Sequence, residues 1–235
     1  MVHRALVIAH EIDGHGCLFT ERLLERGFGV DTHIVCPTDI EADHSVPFPP
    51  VDGYDIVIPM GSIRSLTDVD SIGSWVNDEL DLLRRCHEAG TPMFGVCFGG
   101  QLLATALGGS VEKAPEGEFG WCLIEGDDNP AGPGPWMQWH HDRFMLPPGA
   151  QLLASSAKAN QMFRLGSTVG TQFHPEVNRT HVAGWLGSAT DDYLVECGLD
   201  RHELLNDSEA NEEAATKACS RLVDWFLDVV AFPEG

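Results

Sequence analysis

The stretch GVCFGGQ, at positions 95–101, places a cysteine between glycines where a predicted strand meets a predicted helix. Such a tight turn presents a nucleophile above the edge of a parallel sheet, as the G-x-S-x-G turn does in serine hydrolases. The N-terminus of the following helix adds positive potential and free backbone N–H groups, which favour a thiolate. Cys97 is therefore a candidate nucleophile, although this stretch alone also fits a buried cysteine beside a glycine turn.

A histidine and a glutamate two residues apart are candidate partners for this thiol. His174 and Glu176 lie in the stretch TQFHPEV, at positions 171–177, and residues two apart on an extended backbone point to the same face. Pro175 favours an extended conformation for the residue before it. The carboxylate can then orient the imidazole, which can take the proton of the thiol. A loop histidine beside a proline is the alternative, and it leaves Glu176 without a role.

The elements that must position these residues follow a strand–helix alternation. This alternation is typical of a mostly parallel sheet that helices cover on both faces. Beyond Val111, shorter strand-like pieces predict antiparallel or mixed additions. Residues 191–207 form an acidic, less periodic insertion, for which a surface helix is the alternative. We expect a single α/β domain over residues 1–235, in which residues 187–235 form an acidic segment and a C-terminal helix. The predicted strands are 6–9, 30–35, 55–58, 92–96, 152–154, 162–164 and 169–173, and the predicted helices are 17–26, 71–89, 98–107 and 210–230.

Composition narrows the class of protein. The 235 residues suffice for one large α/β domain, and no apolar run approaches the roughly 20 residues that span a bilayer. Lys and Arg number 14 against 36 Asp and Glu, and the net charge of −22 disfavours nucleic acid as a partner. Seven scattered cysteines without a CxxC pair disfavour disulfides and zinc sites. We expect a cytoplasmic protein with no membrane segment and no metal.

The stretch HEIDGH, at positions 10–15, invites comparison with zinc proteases. Their H-E-x-x-H motif needs histidines four residues apart on a helix, whereas here the spacing is five across a glycine. We interpret this stretch as the loop after the first strand, at the mouth of a pocket.

Together these stretches resemble the class I, triad-type glutamine amidotransferases, and most of all the glutaminase domain of GMP synthases. The resemblance rests on PMFGVCFGGQ at 92–101, LGGSVE at 107–112, EFG at 118–120 and QFHPEV at 172–177. It spans the chain from the first strand to about Thr180. It implies a flavodoxin-like fold with a mostly parallel central sheet flanked by helices. It also implies cysteine-dependent hydrolysis of a γ-glutamyl amide through a γ-glutamyl thioester, without a metal or an organic cofactor.

The resemblance assigns roles position by position. Cys97 matches the nucleophile, His174 the general base and later acid, and Glu176 the group that orients the histidine. The backbone N–H of Phe98 matches one oxyanion donor. The second donor should come from the loop PMGSIRS, at positions 59–65, where the family commonly has Gly-Gly-Pro, so that Gly61 and Ser62 are both candidates.

Substrate-binding positions follow from the same resemblance. Gln101 matches a residue that helps to bind the glutamine substrate. The stretch QWHHD, at positions 138–142, resembles an S-H-x-D segment that lines the glutamine pocket. His140, His141 and Asp142 are therefore candidates for the pocket wall.

Three functions remain open at this stage. The chain has neither an SGGxDS-type pyrophosphatase loop nor a G-x-x-x-x-G-K-[ST] loop, which disfavours an ATP-using synthetase. It is either a free-standing hydrolase of glutamine or a related γ-glutamyl amide, or a glutaminase subunit that passes ammonia to a separate synthetase. A cysteine-based sensor or pseudoenzyme is the third possibility, and it is disfavoured because a sensor needs neither His174 nor Glu176.

Overall fold

The computed structural model describes residues 2–12, 17–37, 46–68, 72–73 and 75–233. Its strands alternate with helices in the first half of the chain and then give way to antiparallel pieces. The strands are β1 (Arg4–Ala9), β2 (Gly29–Ile34), β3 (Ile56–Pro59), β4 (Met93–Val96), β5 (Ser110–Cys122), β6 (Trp136–Met145), β7 (Gln151–Ser155), β8 (Asn160–Leu165) and β9 (Thr168–Thr171). The helices are α1 (Cys17–Glu25), α2 (Trp75–Glu88), α3 (Phe98–Ala106), α4 (Arg179–Ser188), α5 (Asp191–Glu196) and α6 (Arg201–Trp225), and a π-helical turn follows at Phe226–Ala231.

The central sheet of the described chain has seven strands in the order β2-β1-β3-β4-β9-β8-β7. The strands from β2 to β9 in this order pair in parallel, whereas β8 and β7 add antiparallel pairs at one edge. A separate antiparallel ribbon is formed by β5 and β6. The predicted fold class, a single α/β domain with a mostly parallel sheet, flanking helices and added antiparallel strands, is confirmed.

The central strands β1, β3, β4 and β9 are buried along nearly their whole length because helices cover both faces of the sheet. Ala5 and Val7 of β1 belong to the core beneath α1 and α6, whereas Leu6 and Ile8 belong to the core beneath α2 and α3. Successive residues of a strand point to opposite faces, so both sets must be apolar here. The carboxyl ends of β3, β4 and β9 therefore meet at one buried edge of the sheet.

The C-terminal region differs from the prediction. The long helix α6 begins at Arg201, not near Ala210, because the Asp200 side chain caps it by accepting from the backbone N–H groups of His202 and Glu203. The acidic segment 191–207 comprises the short helix α5 and the first turns of α6, so it is helical, as one of the two expectations had it. No helix within the described ranges has the length and hydropathy to cross a membrane.

Candidate active site

Cys97 is the single residue between the end of β4 and the start of α3. Its φ of 50° is the only positive value at a non-glycine residue in the described chain. Such a conformation costs about 1–3 kcal/mol and persists only where the surroundings impose it. Here the Cys97 N–H donates to the Thr171 carbonyl at 2.8 Å, and its carbonyl accepts from the Gln101 N–H at 2.9 Å. The predicted elbow is therefore present in the structure.

Glycines flank Cys97 because the backbone passes very close to its neighbours. A Cβ atom at Gly99 would lie 2.0 Å from the Pro59 carbonyl oxygen, and one at Gly100 would lie 2.3 Å from the Thr171 oxygen. A Cβ at Gly95 would lie 2.5 Å from the Gly99 oxygen. These approaches hold the first turn of α3 against the ends of β3 and β9, and they fix the position of the thiol.

His174 and Glu176 form a buried pair on the other side of this edge. The Nδ1 atom of His174 lies 2.8 Å from Oε1 of Glu176, and each residue is 6% exposed. The backbone of the pair is held on two sides, since the His174 N–H donates to Met137 of β6 and the Glu176 carbonyl accepts from Leu18 of α1. The predicted strand 169–173 ends at Thr171, so the two side chains meet across a turn and not along a strand.

The charge state of His174 is set by its neighbours. Burial of the ring opposes a positive charge, but the Glu176 carboxylate and the Cys97 sulfur outweigh it and raise the pKa of His174 to about 10. A positively charged imidazole is the partner that favours a thiolate. Cys97 and His174 can therefore supply a nucleophilic sulfur and a proton for a leaving group, respectively.

The loop after β3 lies directly against these groups. A Cβ atom at Gly61 would lie 3.2 Å from Cε1 of His174 and 3.9 Å from Cβ of Cys97. The Ser62 hydroxyl donates to Glu11 at 2.7 Å, which leaves its backbone N–H as the group it can offer to a substrate. Phe98 is the first residue of α3, and no side chain caps this end of the helix. Gly61 and Phe98 thus lie beside Cys97, and Ser62 directly follows Gly61 in the same loop.

Three of the four predicted substrate-binding residues, Gln101, His140 and Asp142, are connected through the Asp142 carbonyl, whereas His141 lies apart from them. The Gln101 amide is buried beside the site and donates to the Asp142 carbonyl at 3.2 Å, whereas the Asp142 carboxylate accepts from Ser65 and Thr67 of the loop after β3. His140 is buried, and its Nδ1 lies 2.9 Å from the Asp142 carbonyl. The structure therefore brings Gln101 and the backbone of Asp142 towards the site.

His141 points away from its neighbour in sequence, as expected for adjacent residues of a strand. It is exposed, and its Nε2 lies 3.1 Å from the Tyr193 hydroxyl. The hydroxyl also accepts from the Trp139 indole at 3.2 Å. Trp139 packs against Trp185, and the Trp185 ring lies 4.9 Å from the His174 ring in a T-shaped contact. These aromatic side chains form a wall beside His174, which we call the aromatic wall: Trp139, His141, Trp185 and Tyr193.

Two residues that contact Cys97 or His174 were not assigned a role from the sequence. The Gln172 amide donates to the Cys97 sulfur at 3.7 Å and accepts from the Gln101 amide at 3.4 Å. Gln172 is the first residue of the QFHPE stretch, and this position could have indicated that it lies near the site. Trp185, which packs on His174, lies beyond the motifs on α4, and no pattern in the sequence indicated it.

The HEIDGH stretch, which we expected at the mouth of a pocket, lies only partly within the described residues. His10 is fully buried, whereas Asp13, Gly14 and His15 lie outside the described residues. Within the described chain, no group of three or more His, Cys, Asp or Glu side chains is arranged to hold a metal ion.

Comparison with known proteins identifies the family. A family model described as glutamine amidotransferase class-I matches residues 18–183, well over half of the chain. The chain belongs to the class I glutamine amidotransferase family. The resemblance inferred from the sequence motifs is thereby confirmed.

Relatives of this amidotransferase include larger enzymes. The glutamine-hydrolyzing GMP synthase of Thermomicrobium roseum is 42% identical over 122 residues, which are 48% of this chain and 21% of that protein. One subunit of the glutamine-hydrolyzing GMP synthase of Sulfurisphaera tokodaii is 36% identical over 138 residues, which are 54% of this chain and 70% of that relative. The matched part thus covers only about a fifth of the length of the first relative.

Solved structures share the fold along nearly the whole chain. A glutamine amidotransferase of Thermotoga maritima superposes with a TM-score of 0.82 at 24% identity. The superposition covers 98% of this chain and 99% of the other. A glutamine amidotransferase of Methylobacillus flagellatus gives a TM-score of 0.82 at 22% identity. This superposition covers 98% of this chain and 96% of the other. At these identities the likeness shows the fold of the amidotransferase and no more.

Proposed function

We propose that this amidotransferase hydrolyses a γ-glutamyl amide, with glutamine as the simplest substrate, through a thioester on Cys97. The observation that carries the proposal is that Cys97, held at a strained turn, and the His174–Glu176 pair both lie against Gly61 of the loop after β3. Nucleophile, proton donor and oxyanion donors then surround one small space.

In the proposed reaction the Cys97 sulfur attacks the side-chain amide carbon of the substrate. The oxyanion forms beside the N–H of Phe98 and the N–H groups of Gly61 and Ser62. His174 donates its proton to the leaving amine, the C–N bond breaks, and ammonia departs. His174 then accepts a proton from water, which attacks the thioester. The C–S bond breaks, glutamate is released, and the Cys97 thiolate and the protonated His174 are restored. Glu176 keeps the imidazole oriented through its 2.8 Å contact.

A second candidate function is that of a glutaminase that passes ammonia to a separate synthetase. It is favoured by the similarity to a relative that is itself one component of a GMP synthase, and the match covers 70% of that relative. The aromatic wall beside His174 favours the first candidate, because it offers a surface on which a leaving amine larger than ammonia can pack.

The test is steady-state release of glutamate by the purified chain without a partner. The substrates are glutamine, γ-glutamyl dipeptides, and γ-glutamyl aryl and alkyl amides. We expect release from at least one of them, and loss of that release in Cys97→Ser. Cys219→Ser is the matched control, since Cys219 is a buried thiol of α6 and should leave the activity intact.

The outcomes separate the two candidates. Preference for a substituted amide supports a free-standing hydrolase. No release from any substrate, followed by release from glutamine when a synthetase is added, supports the ammonia-passing role. Release that persists in Cys97→Ser contradicts both candidates.

A further inference from the structure

A second histidine–glutamate pair lies behind the candidate active site. His10, which directly follows β1, and Glu79 of α2 are both 0% exposed. The Nε2 atom of His10 lies 3.1 Å from Oε2 and 3.3 Å from Oε1 of Glu79. Glu79 falls on the apolar face of α2, with Val76 and Leu83, and there an unpaired carboxylate would be costly. The proposed reaction, as described so far, gives this buried pair no part.

Both ring nitrogens of His10 face acceptors. Nε2 faces the Glu79 carboxylate, and Nδ1 lies 3.1 Å from the Gly61 carbonyl oxygen. A neutral imidazole carries a single N–H, so it can donate to only one of the two. Burial opposes a charge on the ring, but the Glu79 carboxylate, Glu11 and the Gly61 carbonyl together raise the pKa of His10 above its ordinary value. The arrangement is that of an imidazolium donating in both directions.

The contact with the Gly61 carbonyl reaches the loop that borders the Cys97 sulfur. The peptide group between Gly61 and Ser62 is planar, so holding its oxygen fixes the direction of the Ser62 N–H on its opposite side. A charged donor on the oxygen also polarises the peptide, and hydrogen bonds in such chains strengthen one another. The His10 ring further packs edge-on against the Phe98 ring, with centroids 4.8 Å apart. One side chain thus contacts both segments that border the oxyanion space.

We propose that His10, paired with Glu79, is a positioning residue that orients and polarises the Gly61–Ser62 peptide for stabilisation of the oxyanion. The neighbouring Glu11 supports the same loop by accepting from the Ser62 hydroxyl at 2.7 Å. The HE of the HEIDGH stretch thereby gains a role without a metal. The inference rests on the proposed function, since it assigns a part in that reaction.

A purely structural role predicts a different result. Buried ion pairs often add little net stability, because the cost of removing two charges from water offsets their attraction. If the pair only fills the core, a folded variant should bind substrate and stabilise the oxyanion as well as the wild type does. If it positions the peptide, the loss should fall on kcat and not on the reactivity of the thiol itself.

The experiment compares wild type, His10→Gln and Glu79→Gln, with His87→Gln as the matched control on the far end of α2. Three quantities are measured: kcat and KM for the best substrate of the panel, affinity for glutamate γ-semialdehyde, and the rate at which iodoacetamide alkylates Cys97. The semialdehyde forms a hemithioacetal with the thiol, whose oxygen needs the same donors as the oxyanion. Alkylation by iodoacetamide makes no oxyanion and reports on the thiol alone.

His10→Gln should lower kcat and semialdehyde affinity by about ten- to a hundredfold, less than loss of a whole oxyanion donor, while KM and alkylation change little. Glu79→Gln keeps the shape and removes the charge, so it should act in the same direction with a smaller factor. His87→Gln should match the wild type. If His10→Gln does not fold, Glu79→Gln decides the question by the same quantities.

Two failures are distinguishable. A wild-type chain that neither releases glutamate nor binds the semialdehyde, with or without an added synthetase, overturns the proposed function and this inference with it. An active wild type, together with folded variants of His10 and Glu79 that keep kcat and semialdehyde affinity, overturns the inference alone.

Discussion

In the proposed reaction His174 carries out both proton transfers, and its ring contacts the Glu176 carboxylate. We expect His174→Gln to lower kcat about a thousandfold or more, since both proton transfers are lost. Glu176→Gln should cost less, because the amide can still accept from the ring and keep it oriented. The measurement is glutamate release at saturating substrate, with Glu213→Gln, an exposed position of α6, as the control. Equal losses in the two variants would mean that Glu176 does more than orient.

The raised pKa of His174 predicts a dependence of stability on pH. The ordinary value is 6.5 and the folded value is about 10, so the folded chain holds a proton that the unfolded chain releases within this window. The stabilisation is therefore fully present below pH ~6.5 and is lost as the pH rises through about 10. Urea unfolding of wild type and His174→Gln at about pH 7 and pH 10 checks this. A difference in unfolding free energy that stays constant between these pH values would contradict it.

At the residue scale, the sequence indicated the candidate groups that the structure then places close together. Cys97 between glycines, and His174 two residues before Glu176, were identifiable because their geometry depends on local chain conformation. Trp185 was not, because its contact with His174 depends on how α4 packs. The pairing of Glu79 could have been predicted in part. A carboxylate at a position of α2 where the pattern predicts burial indicates that it has a buried partner.

At the scale of elements, the close approach of α3 to the ends of β3 and β9 positions the thiol. Gly99→Ala should destabilise the chain and abolish activity, because its Cβ would lie 2.0 Å from the Pro59 carbonyl oxygen, which is backbone and cannot move aside freely. Gly184→Ala, inside α4 with open space around it, is the matched control and should stabilise the chain by about 0.5–1 kcal/mol. Thermal unfolding and glutamate release measure both. A Gly99→Ala protein as stable and active as wild type would show that this approach is dispensable.

The parallel strands β1, β3 and β4 were predictable because burial on both faces makes them nearly continuous apolar runs. The start of α6 was not, because its first turns are largely polar and only Leu204 and Ser208 of that part are buried. Asp200 at the N-cap was the available signal, since a capping side chain precedes a helix regardless of its hydropathy. Tertiary packing against β5 and α4, which no local pattern reveals, explains why these turns are helical.

At the scale of the whole molecule, the net charge of −22 predicts a dependence on salt. Self-repulsion among acidic groups destabilises the compact state, and raising ionic strength to about 0.5 M shortens the Debye length well below 10 Å. The melting temperature should therefore rise with NaCl, and KCl should act alike because screening depends on ionic strength. A fall would instead indicate that local ion pairs dominate, above all those that join Arg22 of α1 and the adjacent Arg26 to Asp224 of α6.

The central claim is that one of seven thiols is the nucleophile, and covalent labelling tests it most directly. The chain is incubated with a diazo-ketone analogue of glutamine, and the adduct is located by intact mass and peptide mapping. Burial raises the thiol pKa of Cys17, Cys86, Cys122, Cys197 and Cys219, so these should react slowly. We expect a single adduct, on Cys97, that glutamine suppresses by competition. Labelling spread over several cysteines, or a Cys97 that remains unmodified, would contradict the claim.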